Sequence, residues 1–150
     1  MDKFLLHLRV LDGILDKKIN TLNQILNITE NQKTMVSTGS QDESSLALYK
    51  EMSGEKQELI EVIKESDKVF EKTYREISSV FEIEAHKHAG LVKRIQGRIK
   101  RATTLDVDIR VQEARNNAAR PVEKKVQDNK STRKRIARIY EKNKRVSPIE

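Results

Sequence analysis

FLLHLRVLDGILDKKINTLNQIL, residues 4–26, places leucine and isoleucine at intervals that match the turns of an α-helix. One line of side chains recurs every seven residues and continues beyond this stretch, through Leu8, Leu15, Leu22, Thr29 and Val36. A second line lies beside it and holds Phe4, Leu11 and Ile25. A seven-residue repeat keeps one stripe of a helix turned toward a partner helix. The sequence therefore predicts a first long helix, over about residues 2–36, that packs against other helices.

The same repeat returns after a polar segment. STGSQDESS, residues 37–45, has no large apolar side chain and several residues that can cap a helix, so it is predicted to be a loop. Beyond the loop, one line holds Tyr49, Ile63, Phe70 and Ile77, and its neighbour holds Met52, Leu59 and Val80. We expect a second helix over about residues 44–82, and the short loop predicts that the two helices form an antiparallel pair.

A weaker apolar stripe follows on a basic background. It consists of Leu91, Ile95, Ile99, Ala102, Leu105 and Ile109, and it is flanked by Arg and Lys. Gly90 marks a break before it, and Pro121, which has no N–H, ends it, so a third helix is expected over about residues 88–119. The predicted fold is all-α, an elongated antiparallel hairpin or bundle of three long helices. It forms one domain, residues 1–120, followed by a basic tail, residues 121–150, that is partner-binding or disordered.

Composition agrees with elongated helices. The 150 residues are 35% charged and 4% aromatic, and they include two prolines. Absence of cysteine excludes disulfides and thiolate chemistry, and no stretch of 18 apolar residues is present, so we expect a cytoplasmic protein without a membrane span. The net charge of +7 is uneven, because residues 93–145 hold 18 Lys and Arg against 6 Asp and Glu. The rest of the chain is therefore mildly acidic.

Nothing in the sequence predicts an enzyme, a metal site or a cofactor. His86 and His88 are two residues apart, so they cannot share a helix face as two metal ligands would. Glycines such as Gly90 and Gly97 lie seven apart within helical sequence and do not form a phosphate-binding loop. The function is therefore sought on a surface and not in a pocket.

The basic third has three interpretations. The first is a solvated helix face. The second is contact with nucleic acid, which the sequence disfavours because Tyr140 stands alone where stacking aromatics are needed. The third is a surface that binds an amphipathic helix of a partner, with the cations steering an acidic partner. The candidate partner-binding residues are Leu91, Ile95, Ile99, Leu105, Ile109, Ile136, Ile139 and Tyr140.

KQELIEVIKESDKVF, residues 56–70, resembles the middle of the flagellar type III export chaperones of the FlgN type, in which a Lys-x-x-Leu-Ile-like core precedes an Asp and a Phe. The first helix, with Leu8, Leu11, Leu15 and Leu22, also suits that family. The segment 91–117 is similar to the family's later helix at Gln96, Ile99, Leu105, Asp106, Ile109, Glu113 and Asn116. Tyr140 after a basic stretch is similar to its closing region.

The resemblance implies a cytosolic export chaperone. Such a protein would bind the amphipathic C-terminal helices of hook–filament junction proteins and deliver them to the flagellar export apparatus. The alternative from another class is a structural coiled coil or oligomerising scaffold, and a homodimer through the third stripe stays open. A basic helical protein associated with nucleic acid ranks third.

Overall fold

The computed structural model describes residues 2–39 and 42–119, and every regular element within them is helical. The elements are α1 (Lys3–Ser37), α2 (Glu43–Ile77), α3 (Phe81–Glu84) and α4 (Ala89–Ala119), with 3₁₀ turns at Ser78–Val80 and Ala85–His88. The prediction of an all-α fold built from long helices is confirmed. In the described part of the chain, no helix is long and apolar enough to cross a bilayer.

The first two helices begin and end at residues suited to those places. Asp2 caps α1, since its carboxylate accepts a 3.1 Å hydrogen bond from the backbone N–H of Leu5. Asp42 caps α2 in the same way, through a 2.7 Å bond from the N–H of Ser45. After α1 the chain turns at Gly39, whose φ of 68° lies in the left-handed region that favours glycine.

The connection between α2 and α4 contains no irregular loop. From Glu43 to Ala119 the backbone stays helical, so the described residues form two uninterrupted helical runs where three separate helices were expected. The second run changes direction where ψ approaches zero, at −2° for Ile77 and 1° for Val80. Gly90, predicted to be a break, lies inside α4 instead. No proline or polar loop interrupts this segment, so only the tighter 3₁₀ turns bend it.

Interhelical contacts define the direction of each long helix. His7 of α1 meets Glu76 near the end of α2, and Gln32 of α1 meets Ser53 near its start, so α1 and α2 are antiparallel. Asp12 contacts Arg94, and Thr29 accepts a hydrogen bond from Asn116, so α1 and α4 run in parallel. α1 therefore lies against both α2 and α4 along its length.

Two apolar clusters form the core. The first contains Phe4, Leu8, Leu11, Leu15, Ile77 and Ile95. The second contains Leu22, Ile25, Ile63, Ala102, Leu105 and Ile109. The apolar lines of α1 thus face α4 as well as α2. The weak stripe of α4 supplies half of the second cluster. Burial of one large aliphatic side chain stabilises a fold by about 1.5–3 kcal/mol, so the buried residues of α4 stabilise the same core as those of α1 and α2.

Aromatic side chains hold the turn region onto the start of α1. The ring of Phe4 lies 5.7 Å from that of Phe81 and 6.0 Å from the imidazole of His88. Phe81 also packs against Tyr74 at a centroid distance of 5.8 Å. His88 completes the contact through a 2.9 Å hydrogen bond to the carboxylate of Asp2. Residues 78–88 are therefore anchored to α1 by both apolar and polar contacts.

Candidate partner-binding surface

Most of the apolar stripe predicted to bind a partner lies inside the fold. Ile95, Leu105 and Ile109 are buried, and Leu91 is half-buried beside the first cluster. The expectation that this stripe is left uncovered is therefore corrected, because α1 covers it. Of the described candidates, Ile99 stays exposed, at 43%. Ile136, Ile139 and Tyr140 lie outside the described residues.

The cations beside the stripe also face inward in part. The buried carboxylate of Asp12 lies 2.6 Å from Arg94 Nη2 and 3.0 Å from Arg98 Nη1. Arg98 Nη1 also donates to the backbone carbonyl of Asp12 at 3.1 Å. Charge-assisted bonds of this kind are directional, so they fix the register between α1 and α4. Two of the cations that were expected to steer a partner thus hold the helices together.

The outer side of α4 carries a different apolar line. Ile99, Val107 and Val111 are exposed at 43%, 52% and 44%, and they lie at four-residue multiples along the helix with exposed Thr103 between the first two. Residues four apart are offset by about 40° around a helix, so these side chains form a line that winds gradually along the outer side of α4. Sequence reasoning missed Val107 and Val111. Val107 lies eight residues after Ile99 and Val111 four residues after Val107, and this helical spacing was the signal that could have revealed them.

The outer side of α2 carries exposed apolar residues too. Leu48, Val62 and Val69 are exposed, and each directly precedes a residue of the inward-facing line. The inward-facing neighbours are Tyr49, Ile63 and Phe70. One residue corresponds to about 100° around a helix, so the exposed set lies to one side of the core. Large apolar side chains thus remain uncovered on α2 and α4, and also on α1 at Leu6 and Val10 and in the turn region at Val80 and Ile83.

A buried polar layer connects α1, α2 and α4 at the end of the fold opposite to residues 78–88. The Lys56 amine of α2 contacts the carboxylate of Glu113 of α4 and lies 3.4 Å from the hydroxyl of Thr29 of α1. Asn116 of α4 donates to the backbone carbonyl of Thr29 at 3.0 Å. Burial lowers the pKa of Lys56, and the Glu113 carboxylate opposes that shift. Removing the carboxylate would leave the amine without its charged partner.

Gln32 extends this polar layer toward the loop. Its amide donates to the backbone carbonyl of Tyr49 at 3.1 Å and to the hydroxyl of Ser53 at 2.9 Å. Its own carbonyl oxygen, Oε1, is buried without a hydrogen-bond partner among the described residues. The hydrogen bonds of this layer favour one pairing of helix faces. In a shifted register these polar groups would be buried without partners, and the fold would be less stable.

In residues 2–39 and 42–119, no group of three or more His, Asp or Glu side chains is placed to hold a metal ion. An open depression lined by Glu30, Lys33, Thr34, Ser37 and Thr38 sits on the surface of the last turns of α1. The described residues do offer exposed apolar lines on the outer sides of α2 and α4. The chain matches no protein-family model, no curated protein and no solved structure.

Proposed function

We propose that this protein is a non-enzymatic helical binding protein, and that it serves as an export chaperone of the FlgN type. The observation that carries the proposal is the exposed line of Ile99, Val107 and Val111 on a helix whose inner face is already filled. Helix-binding surfaces present apolar side chains one turn apart, and an amphipathic helix of a partner would cover this line. The site therefore shifts from the inner stripe of α4 to its outer face.

The charge of α4 favours an acidic partner. Seven Lys and Arg and three Asp and Glu lie in the helix, and Lys100 and Arg101 stand exposed next to Ile99. Such cations set the orientation and association rate of a docking helix more than its affinity. A client helix with acidic residues beside its apolar stripe fits this surface.

The flagellar assignment rests on the sequence resemblance. Three residues that carry it, Lys56, Glu113 and Asn116, meet in the buried polar layer, so they share one structural role. On this basis the clients would be the amphipathic C-terminal helices of hook–filament junction proteins. The protein would keep them from assembling in the cytoplasm and pass them to the export apparatus, within a three-helix bundle.

A titration with labelled peptides tests the proposal. Fluorescence anisotropy would follow binding of a client C-terminal helix to the full chain and to an Ile99→Asp/Val107→Asp variant. The variant should bind at least about tenfold more weakly, since a central interface residue commonly contributes more than about 1 kcal/mol. Val62→Asp/Val69→Asp, with the same change on α2, should keep the native affinity. If the full chain self-associates but binds no peptide, and the α4 variant loses that self-association, the result would instead favour the oligomerising scaffold.

A further inference from the structure

α2 presents a second surface whose charge is opposite to that of α4. Three exposed apolar residues and three exposed carboxylates share one side of the helix, spaced three, four or seven residues apart. We name this surface the α2 seam, and it consists of Leu48, Glu51, Glu55, Glu58, Val62 and Val69. Side chains at these intervals lie on one helix face. The seam therefore has the pattern of a helix-docking face with acidic residues in its middle.

The carboxylates of the seam differ from other acids of α2. Glu61 pairs with Lys64, and Glu71 pairs with Arg75, each within a turn of the same helix. Glu51, Glu55 and Glu58 have no ion pair among the described residues. Like charges one turn apart destabilise a helix by a few tenths of a kcal/mol per pair. An opposing row of cations would remove that repulsion.

The chain itself supplies such a row. Of its 30 Lys and Arg, 11 lie in residues 120–150, against 4 of its 23 Asp and Glu, so this segment carries +7 and residues 1–119 carry no net charge. Arg135, Arg138, Lys142 and Arg145 are spaced three, four and three residues apart, which is the alternation of the seam. Ile136 and Ile139 accompany them. Both the charge and the apolar content of the segment thus complement the seam.

The position of the last described residues makes the contact reachable. The last described residue, Ala119, lies a turn beyond Asn116, which contacts Thr29, and nearly two turns beyond Glu113, which contacts Lys56. The segment therefore leaves the fold level with the first half of α2, where the seam carboxylates lie. Fifteen residues lie between Ala119 and Arg135, and an extended chain spans about 3.3 Å per residue, so they reach roughly 50 Å. The acidic part of the seam is far shorter than that.

We propose that residues 120–150 dock on the α2 seam of the same molecule. The cations from Arg135 to Arg145 face the three seam carboxylates, and Ile136 and Ile139 cover the seam's valine and leucine side chains. Tethering places the segment at an effective concentration in the millimolar range, so weak individual ion pairs suffice. The proposed contact uses residues of α2 and none of the outer line of α4, and it does not depend on the identity of the client.

Zero-length carbodiimide crosslinking of the full chain tests the contact. The reagent joins a carboxylate to a lysine amine only where the two touch, and mass spectrometry of the monomer fraction identifies the pairs. We expect Lys134 and Lys142 to join Glu51, Glu55 and Glu58 several-fold more often than Glu61 and Glu71. Arg135→Glu/Arg138→Glu should lower these yields several-fold, although neither arginine reacts with the reagent.

A matched variant separates recognition from bulk charge. Arg120→Glu/Arg133→Glu changes the net charge equally but lies outside the spaced row, so it should preserve the crosslinks. Adding Glu55→Arg/Glu58→Arg to Arg135→Glu/Arg138→Glu should restore the Lys142–Glu51 product. Equal losses in both tail variants, or absence of seam crosslinks in the monomer, would overturn the proposal. Seam crosslinks confined to the dimer fraction would also overturn it, because they would assign the seam to a second copy.

Discussion

The carboxylate of Asp12 on α1 lies 2.6 Å from a guanidinium nitrogen of Arg94 on α4, and Arg98 approaches the same carboxylate at 3.0 Å. One buried acid therefore accepts from two cations of the neighbouring helix. The pairing explains why part of the basic sequence of α4 faces its own fold. It also places Ile95, between these two arginines in sequence, in the apolar core.

Loss of the Asp12 carboxylate should destabilise the α1–α4 contact. We expect Asp12→Asn to lower the free energy of unfolding by about 1–2 kcal/mol, because the neutral amide cannot pair with two guanidinium groups. The exposure of Arg94 to solvent keeps the loss modest. Urea denaturation measures the change. Asp108→Asn, on an exposed part of α4, is the control and should change stability by less than about 0.5 kcal/mol. Equal effects would contradict the assigned role of Asp12.

Two adjacent residues of α2 should respond very differently to truncation. Ile63 is fully buried and Val62 is 46% exposed. Ile63→Ala should cost about 2–5 kcal/mol because it removes buried methyl groups and leaves a cavity between the helices. Val62→Ala should stay within about 0.5 kcal/mol of the native protein. Chemical denaturation of both variants checks which face of α2 is buried. A larger loss of stability in Val62→Ala than in Ile63→Ala would contradict the buried face described above.

The buried amine of Lys56 should depend on Glu113. Glu113→Gln leaves the ammonium group in the core without its carboxylate, and we expect a loss of about 2 kcal/mol near neutral pH. Burial already lowers the pKa of Lys56, so the variant should regain stability as pH rises and the amine loses its proton more readily. Lys56→Met in the Glu113→Gln background should recover much of the loss. If that second change destabilises further, the amine is not the source of the cost.

His7 should make the stability depend on pH near neutrality. The carbonyl of Lys3 and the carboxylate of Glu76 both accept from its ring, and they raise its pKa above the ordinary value of 6.5. A raised folded-state pKa stabilises the fold fully below the unfolded-state pKa, and the gain is lost as pH rises through the folded-state value. The free energy of unfolding of His7→Gln should therefore lie below that of the native chain at pH of about 5.5, and the difference should shrink as the pH rises to about 8.

Urea denaturation of the native chain and of His7→Gln, repeated across this range of pH, measures the deficit. A deficit of His7→Gln that grows with pH would contradict the expected sign.

The long helices could be predicted because their repeats are regular. Leu8, Leu15 and Leu22 recur over several turns, and the structure buries all three. Periodicity shows which residues share a face, but it does not show which helix covers that face. For this reason Ile95 and Ile109, on a weak stripe, were assigned to a partner although α1 covers them.

Other features had weaker signals. The turn region between α2 and α4 contains no proline or polar run, and Gly90 was a misleading marker because glycine is also tolerated within a helix. The outer line of α4 was hidden because Val107 and Val111 stand among Asp and Arg residues. Lys56 and Glu113 form an ion pair although they are 57 positions apart in the sequence, and no local sequence pattern predicts such a contact.

Affinity for a client helix, compared between variants of the two outer surfaces, decides whether this protein binds clients through α4. Anisotropy titrations would use one labelled C-terminal helix of a hook–filament junction protein, with circular dichroism confirming that every variant is folded. We expect the full chain to bind, Ile99→Asp/Val107→Asp to bind about tenfold or more weakly, and Val62→Asp/Val69→Asp to bind as the full chain does. Absence of binding by the native chain, or undiminished binding by the α4 variant, would contradict the proposed function.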